Sequence, residues 1–157
     1  MIIMNYDTVR WLERYMGAKE REKRLKREVE NLQEEIERLR LETSYASSVM
    51  DGMTHSGTER DKMAEYIVRL EALEGKIAAA LAREYEQIEV SHAIRREVKN
   101  VIDRLPEEGA QTLMFLRYIE GMTYERIADA MGYSDRHVRR LHEALLEECA
   151  ELIKECP

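Results

Sequence analysis

Leu25, Val29, Leu32, Ile36 and Leu39 recur at steps of 4, 3, 4 and 3 through a stretch otherwise dominated by Glu, Lys and Arg. That spacing gathers all five on one narrow stripe of an α-helix, whereas a strand would split them between its two faces. A stripe so narrow makes no core alone, so it needs another helix laid along it. The composition agrees: 36 % of the residues are charged, only 2 are Pro and 7 Gly, and a single Phe and a single Trp accompany 8 Tyr. An all-α chain with several thin apolar seams follows, with little material for one wide core. Opposite charges four apart, Arg24 with Glu28 and Glu34 with Arg38, support the helix from its wet side.

A second seam runs from Glu59 to Leu105 through Met63, Tyr66 or Ile67, Leu70, Leu73, Ile77, Leu81, Ile88, Ile94, Val98 and Val101. Unbroken, that helix is roughly 70 Å long, with Val90-Ser91 the candidate for a kink. Between the seams, 43–58 collects Ser44, Ser47, Ser48, Asp51, Gly52, Ser56 and Gly57 and reads as a loop holding His55 as a solvated side chain. Two seams of similar length across a short loop predict a long antiparallel helical hairpin, a coiled coil, over 1–105. Folding about the loop sets Leu25 against Ile77, Val29 against Leu73, Leu32 against Leu70, Ile36 against Tyr66 and Leu39 against Met63. A heptad pattern also fits after a slip of about half a repeat, and a homodimer pairing the first helix in parallel competes with the hairpin. Nearer the N-terminus Tyr6, Val9, Leu12 and either Tyr15 or Met16 extend the first helix, with Gly17 a weak point costing about 1 kcal/mol.

The last segment, 106–157, is organised differently. Pro106 suits the first turn of a helix, Leu113, Leu116 and Ile119 mark its buried stripe, and Gly121 ends it. Thr123 is placed to cap a short helix, Tyr124 to Met131, with Glu125 favourable in its first turn. Ile127, Ala128 and Met131 form its inner side, and Gly132 supplies a left-handed turn. Tyr133 plugs that turn, Ser134 caps the next helix, and Val138, Leu141 and Leu145 are its inner stripe. Ala128, then Gly132, Val138 and Leu141 in this register make a helix-turn-helix from Thr123 to Leu146.

The second helix of that pair is the expected reader of double-stranded DNA. Its N-terminal turn and outer face carry Asp135, Arg136, His137, Arg139, Arg140 and Glu143, the positions that enter a major groove. Arginine serves there in two ways, by bidentate bonds to guanine and by charge-assisted bonds to phosphate. The competing reading of the cluster is a solvated face. His142 flanks the buried stripe and reads as packing, and His92 on the long helix as structural or solvated. Charge sets a limit on affinity: residues 107 to 157 hold 6 basic and 11 acidic side chains, and the whole chain is −7. Attraction to DNA grows with the phosphates neutralised, so binding by the chain alone is expected to be weak, strengthened by dimerisation or a second partner.

Leu116-Arg117-Tyr118-Ile119-Glu120-Gly121-Met122-Thr123-Tyr124-Glu125-Arg126-Ile127-Ala128 and Ser134-Asp135-Arg136-His137-Val138-Arg139-Arg140-Leu141 resemble the promoter-reading region 4 of bacterial sigma factors. Joined to an N-terminal helical hairpin, the pattern is similar to small phage and prophage proteins related to the RinA and ArpU late-transcription activators. The resemblance implies that Thr123 approaches a phosphate, that Arg136, His137, Arg139 and Arg140 lie in the groove, and that RNA polymerase is a candidate partner. Sigma factors usually continue into a basic tail, where this chain has Leu145-Leu146-Glu147-Glu148, and nothing here resembles the sigma regions that melt promoters. The expected function is transcription regulation at phage-type promoters. A small terminase-like packaging protein and a helical protein-interaction module are the rivals.

Other chemistry is not expected. No H-E-x-x-H, Walker-type glycine loop or Cys/His metal spacing occurs, which argues against an enzyme, a cofactor or a metal. Cys149 and Cys156, seven apart on one helix, are too distant to bridge each other and read as plain thiols. The N-terminus lacks a basic stretch followed by a long apolar one, and no apolar run approaches the roughly 18 residues of a membrane span. A cytoplasmic protein without membrane contact is the expectation.

Overall fold

The computed structural model describes the backbone of residues 2–50 and 57–156 and the side chains of 5–44 and 60–156. Among the described residues all regular structure is helical: α1 (Ile2–Leu12), α2 (Arg14–Met50), α3 (Gly57–Asp103), α4 (Glu108–Tyr118), α5 (Tyr124–Met131) and α6 (Asp135–Glu155). α1 and α2 form nearly one run. Glu13 N–H donates to the Val9 carbonyl at 2.8 Å and Gly17 N–H to the Glu13 carbonyl at 3.0 Å, so the ladder crosses the break. α3 is continuous past Val90-Ser91, where Ser91 is buried.

Contacts divide the chain into two units, residues 22–87 and, separately, 1–21 with 88–157. The boundary expected at 105/106 is therefore not where the packing divides. Its physical reason lies in the core of the second of these units. Val98, Val101, Ile102 and Leu105 at the end of α3, and Leu12 from α1, are buried in the same cluster as Leu113, Ile127, Val138 and Leu146. The helix-turn-helix alone has too little apolar surface, and segments from both sides of the seam region complete it.

In the unit 22–87, α2 and α3 pack antiparallel through a small cluster. Ile36, Leu39 and Leu73 are buried, with Leu32, Tyr66, Leu70 and Ile77 packed against them. Two expectations are corrected here. The loop is shorter than 43–58, because α2 runs on through Met50 and α3 already begins at Gly57. Thr43, at the start of the polar run, is accommodated within α2: its Oγ1 donates to the Leu39 carbonyl one turn back, at 2.9 Å. The rest of the expected loop, His55 included, lies outside the described residues. The longer helix moves the bend and with it the register. Arg83 Nη2 meets Glu28 Oε1 at 2.9 Å, where the expected register would set Glu74, nine residues earlier. Glu28 thus pairs across the seam and not with Arg24, while Met63, expected inside, is 48 % exposed. Within this chain the α2 stripe packs against α3.

Two smaller corrections concern the ends of the other unit. Tyr6 is exposed, leaving Leu12 as the buried residue of the first apolar face. Pro106 lies before α4, whose N-cap is Glu107, so it is not in the first turn. The chain reverses there on side-chain help: Gln111 Nε2 donates to the carbonyls of Asp103 at 3.1 Å and Leu105 at 2.7 Å, which satisfies the open end of α3.

Candidate nucleic-acid interface

The site is built on two capped helices and one glycine. Thr123, extended at ψ 159, accepts from the Arg126 N–H at 3.4 Å and starts α5. Ser134, at ψ 152, accepts from the His137 N–H at 3.2 Å and starts α6. Each cap of this kind is worth about 1 kcal/mol. Between them Gly132 has φ 71 and ψ 29, the left-handed conformation that L side chains resist, and the Tyr133 N–H closes back on the Ala128 carbonyl at 2.9 Å. Inside the angle of the two helices Ile127 and Val138 are wholly buried and Ala128 nearly so. A larger residue at 128 would push α5 away from α6. Tyr133 does not plug the turn as expected. It is 41 % exposed and meets the His137 ring edge-on at 4.9 Å.

Residues 101–149 match the Sigma-70, region 4 family. That match starts in the last turn of α3, whose buried Val101 and Ile102 belong to the same core, and ends in α6 at Cys149. The chain therefore carries a sigma region 4-like helix-turn-helix, a DNA-binding module of transcription. No curated protein and no solved structure matches the chain. No helix among the described residues is long and apolar enough to cross a membrane.

The residues picked out as readers divide into groups. At about 100° per residue, Arg136, Arg139, Arg140 and Glu143 share the outward face of α6, and all four are exposed. His137 sits at the flank against Tyr133, while Thr123 and Ser134 mark the two helix N-termini. Asp135 is half-buried in the first turn of α6, where negative charge is favourable. Among the described residues Arg136 and Arg140 enter no ion pair. Arg139 is held on three sides: Nε donates to Asp135 Oδ2 at 2.9 Å, Nη2 to Glu125 Oε1 at 3.3 Å, and the guanidinium lies 4.6 Å from the Tyr124 ring centre. The hydrogen bond to Asp135 is the main reason its pKa is raised.

Beneath this face lies a polar cluster that the spacing of the sequence did not announce. Arg117 of α4 donates to the Met122 carbonyl at 3.0 Å and lies 4.2 Å from the centre of the Tyr124 ring, so Tyr124 meets guanidinium groups from both α4 and α6. His142 is buried between two phenols, with Nε2 at 2.6 Å from the Tyr118 hydroxyl and Nδ1 at 3.4 Å from that of Tyr124. A neutral imidazole has one donor and one acceptor, and the two hydroxyls match both. Burial pushes its pKa down to about 4, helped by the Arg117 charge, while burial raises the Tyr118 hydroxyl. His142 therefore orders the junction of α4, α5 and α6 as a neutral group. Only its place beside the inner stripe of α6 hinted at this in the sequence; its partners are 24 and 18 residues away.

Cys149 is fully buried and free, its thiol pushed up to about 12 by burial, and Cys156 is half-buried and free. Among the described residues no group of three His, Cys, Asp or Glu is placed to hold a metal ion.

Proposed function

We propose that α5 and α6 dock on double-stranded DNA with α6 in the major groove. In this reading the chain is a transcription regulator of the phage late-activator kind, acting at promoters together with RNA polymerase. The observation that carries it is the capped helix pair about Gly132, whose second member turns Arg136, His137 and Arg140 to solvent. The region 4 match supports promoter DNA as the target, and the antiparallel α2–α3 pair preceding it supports the phage activator type.

The roles follow from position. Arg136 and Arg140 reach base edges or phosphates, His137 and Glu143 border them, and Thr123 and Ser134 bring the N-terminal ends of α5 and α6 to phosphates, where free N–H groups and the helix dipole favour an anion. Arg126, exposed in the first turn of α5, joins them as a phosphate contact. These cations work against the acids of the same segment, so the chain alone binds weakly, and a polymerase or a second copy supplies the remaining affinity.

An electrophoretic shift series on a promoter duplex at rising salt tests the reading. With Arg126, Arg136 and Arg140 each neutralising one phosphate, log K against log salt falls with a slope of about −3. Arg136→Ala and Arg140→Ala each weaken binding by about 1–3 kcal/mol if they read a base, with circular dichroism unchanged. Absence of binding at low salt, with polymerase present as well as without it, would sink the DNA reading.

A further inference from the structure

We propose that Asp135 and Glu125 act as a specificity device, occupying Arg139 so that DNA gains its charge only where a base or phosphate is placed well enough to displace them. This inference rests on the DNA-binding reading above. Arg139 shares the exposed face of α6 with Arg136 and Arg140 and stands on the side of that face turned toward Tyr124 and Glu125 of α5. Of the three it alone is already engaged, by one carboxylate of its own helix at 2.9 Å, one of α5 at 3.3 Å and the face of Tyr124. The site is therefore not a bare cationic ridge. A sliding encounter with an arbitrary phosphate must compete with two carboxylates for this guanidinium, and the carboxylates repel the same phosphate. A correctly spaced guanine edge or phosphate offers the bidentate geometry that repays the exchange. The pair thus costs affinity for every duplex and costs least on the right one, which raises discrimination. Asp135 is the stronger of the two holders, by distance and by sharing the helix. Its second oxygen, Oδ1, is shielded from solvent without a hydrogen-bond partner, so the carboxylate keeps an open acceptor at the N-terminal turn of α6.

The test compares the full chain with Asp135→Asn, Glu125→Gln and the double variant on a target duplex and on random duplex, across salt. Thermal melting is recorded alongside, because the carboxylates also brace α5 on α6. The double variant is expected to bind random duplex at least tenfold more tightly, to gain about one unit of salt slope as Arg139 joins the phosphate contacts, and to lose target-over-random discrimination. Arg139→Ala in the double-variant background returns the slope to its original value. Unchanged random binding and an unchanged slope in a folded double variant overturn the proposal while leaving the DNA reading intact. Tighter binding that Arg139→Ala does not reverse also overturns it, since simple removal of negative charge then suffices. Failure of every variant to bind any duplex removes both readings together.

Discussion

The two units use similar amounts of helix but enclose very different amounts of apolar surface. In the unit holding the region 4-like segment, α1, the end of α3 and α4 to α6 share one cluster. Its wholly buried members include Leu12, Val98, Leu113, Ile127 and Val138. In 22–87 two helices meet along a line. The buried cluster there is Ile36, Leu39 and Leu73, while Met63, Ile67 and Val68 stay about half exposed or more. Two helices have one shared side each, so a pair buries a seam, whereas five segments meeting at angles bury whole side chains. Stability should therefore be concentrated in the first of these units, and the α2–α3 pair should open more readily.

The largest effect separates the two directly. Leu113→Ala leaves a cavity in a surround that cannot collapse around it, and the expected loss is about 2–5 kcal/mol. Leu73→Ala empties a small cluster in which Ile36 and Leu39 are buried but the rim of Leu32, Tyr66, Leu70 and Ile77 is only partly buried and free to close in, so the loss should sit at about 2 kcal/mol or below. Urea unfolding followed by circular dichroism gives both values. Labelling of Cys149, which is buried and holds its proton to about pH 12, reports opening of its own unit alone. Equal losses from the two substitutions would break the contrast.

A smaller effect belongs to the polar cluster at the junction of α4, α5 and α6. His142 has a folded pKa near 4 against an ordinary 6.5, lowered first by burial. Above pH 6.5 both folded and unfolded forms are neutral and the group has no pH effect. As pH falls from 6.5 to about 4 the unfolded chain takes up a proton that the folded one refuses, and stability declines, by about 3 kcal/mol at most. His142→Gln cannot titrate and retains a partner for the Tyr118 hydroxyl, so its melting temperature should decline less across that window. An identical acid profile in wild type and variant would show that other groups govern it.

Local chemistry explains which of these features were legible in the sequence. The caps Thr123 and Ser134, the turn glycine Gly132 and the small Ala128 are demands of one short backbone path, so residue type and spacing alone exposed them. The stripe on α2 was equally plain, since Val29, Ile36 and Leu39 carry their own periodicity. Register was not, because a heptad seam accepts several alignments and the end of α2 decides among them. Thr43 made that end misleading: a hydroxyl bonded one turn back is as much at home in a helix as in a loop. The membership of Leu12 and Val98 in the region 4 core, and the tie of Arg139 to Glu125, depend on segments brought together from a distance. No local pattern encodes such contacts.

The smallest effect sharpens the comparison from the weak side. Gly75 lies inside α3, in the unit 22–87, and a Cβ built there meets nothing within 4 Å. Gly75→Ala therefore adds no clash and removes the excess backbone freedom that glycine carries in the unfolded chain. In a helix interior the change is worth about 0.5–1 kcal/mol of added stability. If the α2–α3 pair opens independently, the gain should raise the midpoint of its own transition in thermal circular dichroism. The rate at which Cys149 is labelled should not move, because the substitution lies in the other unit. A slower Cys149 reaction in Gly75→Ala would mean that the two units unfold as one, and the thin seam would then draw its stability from the larger core.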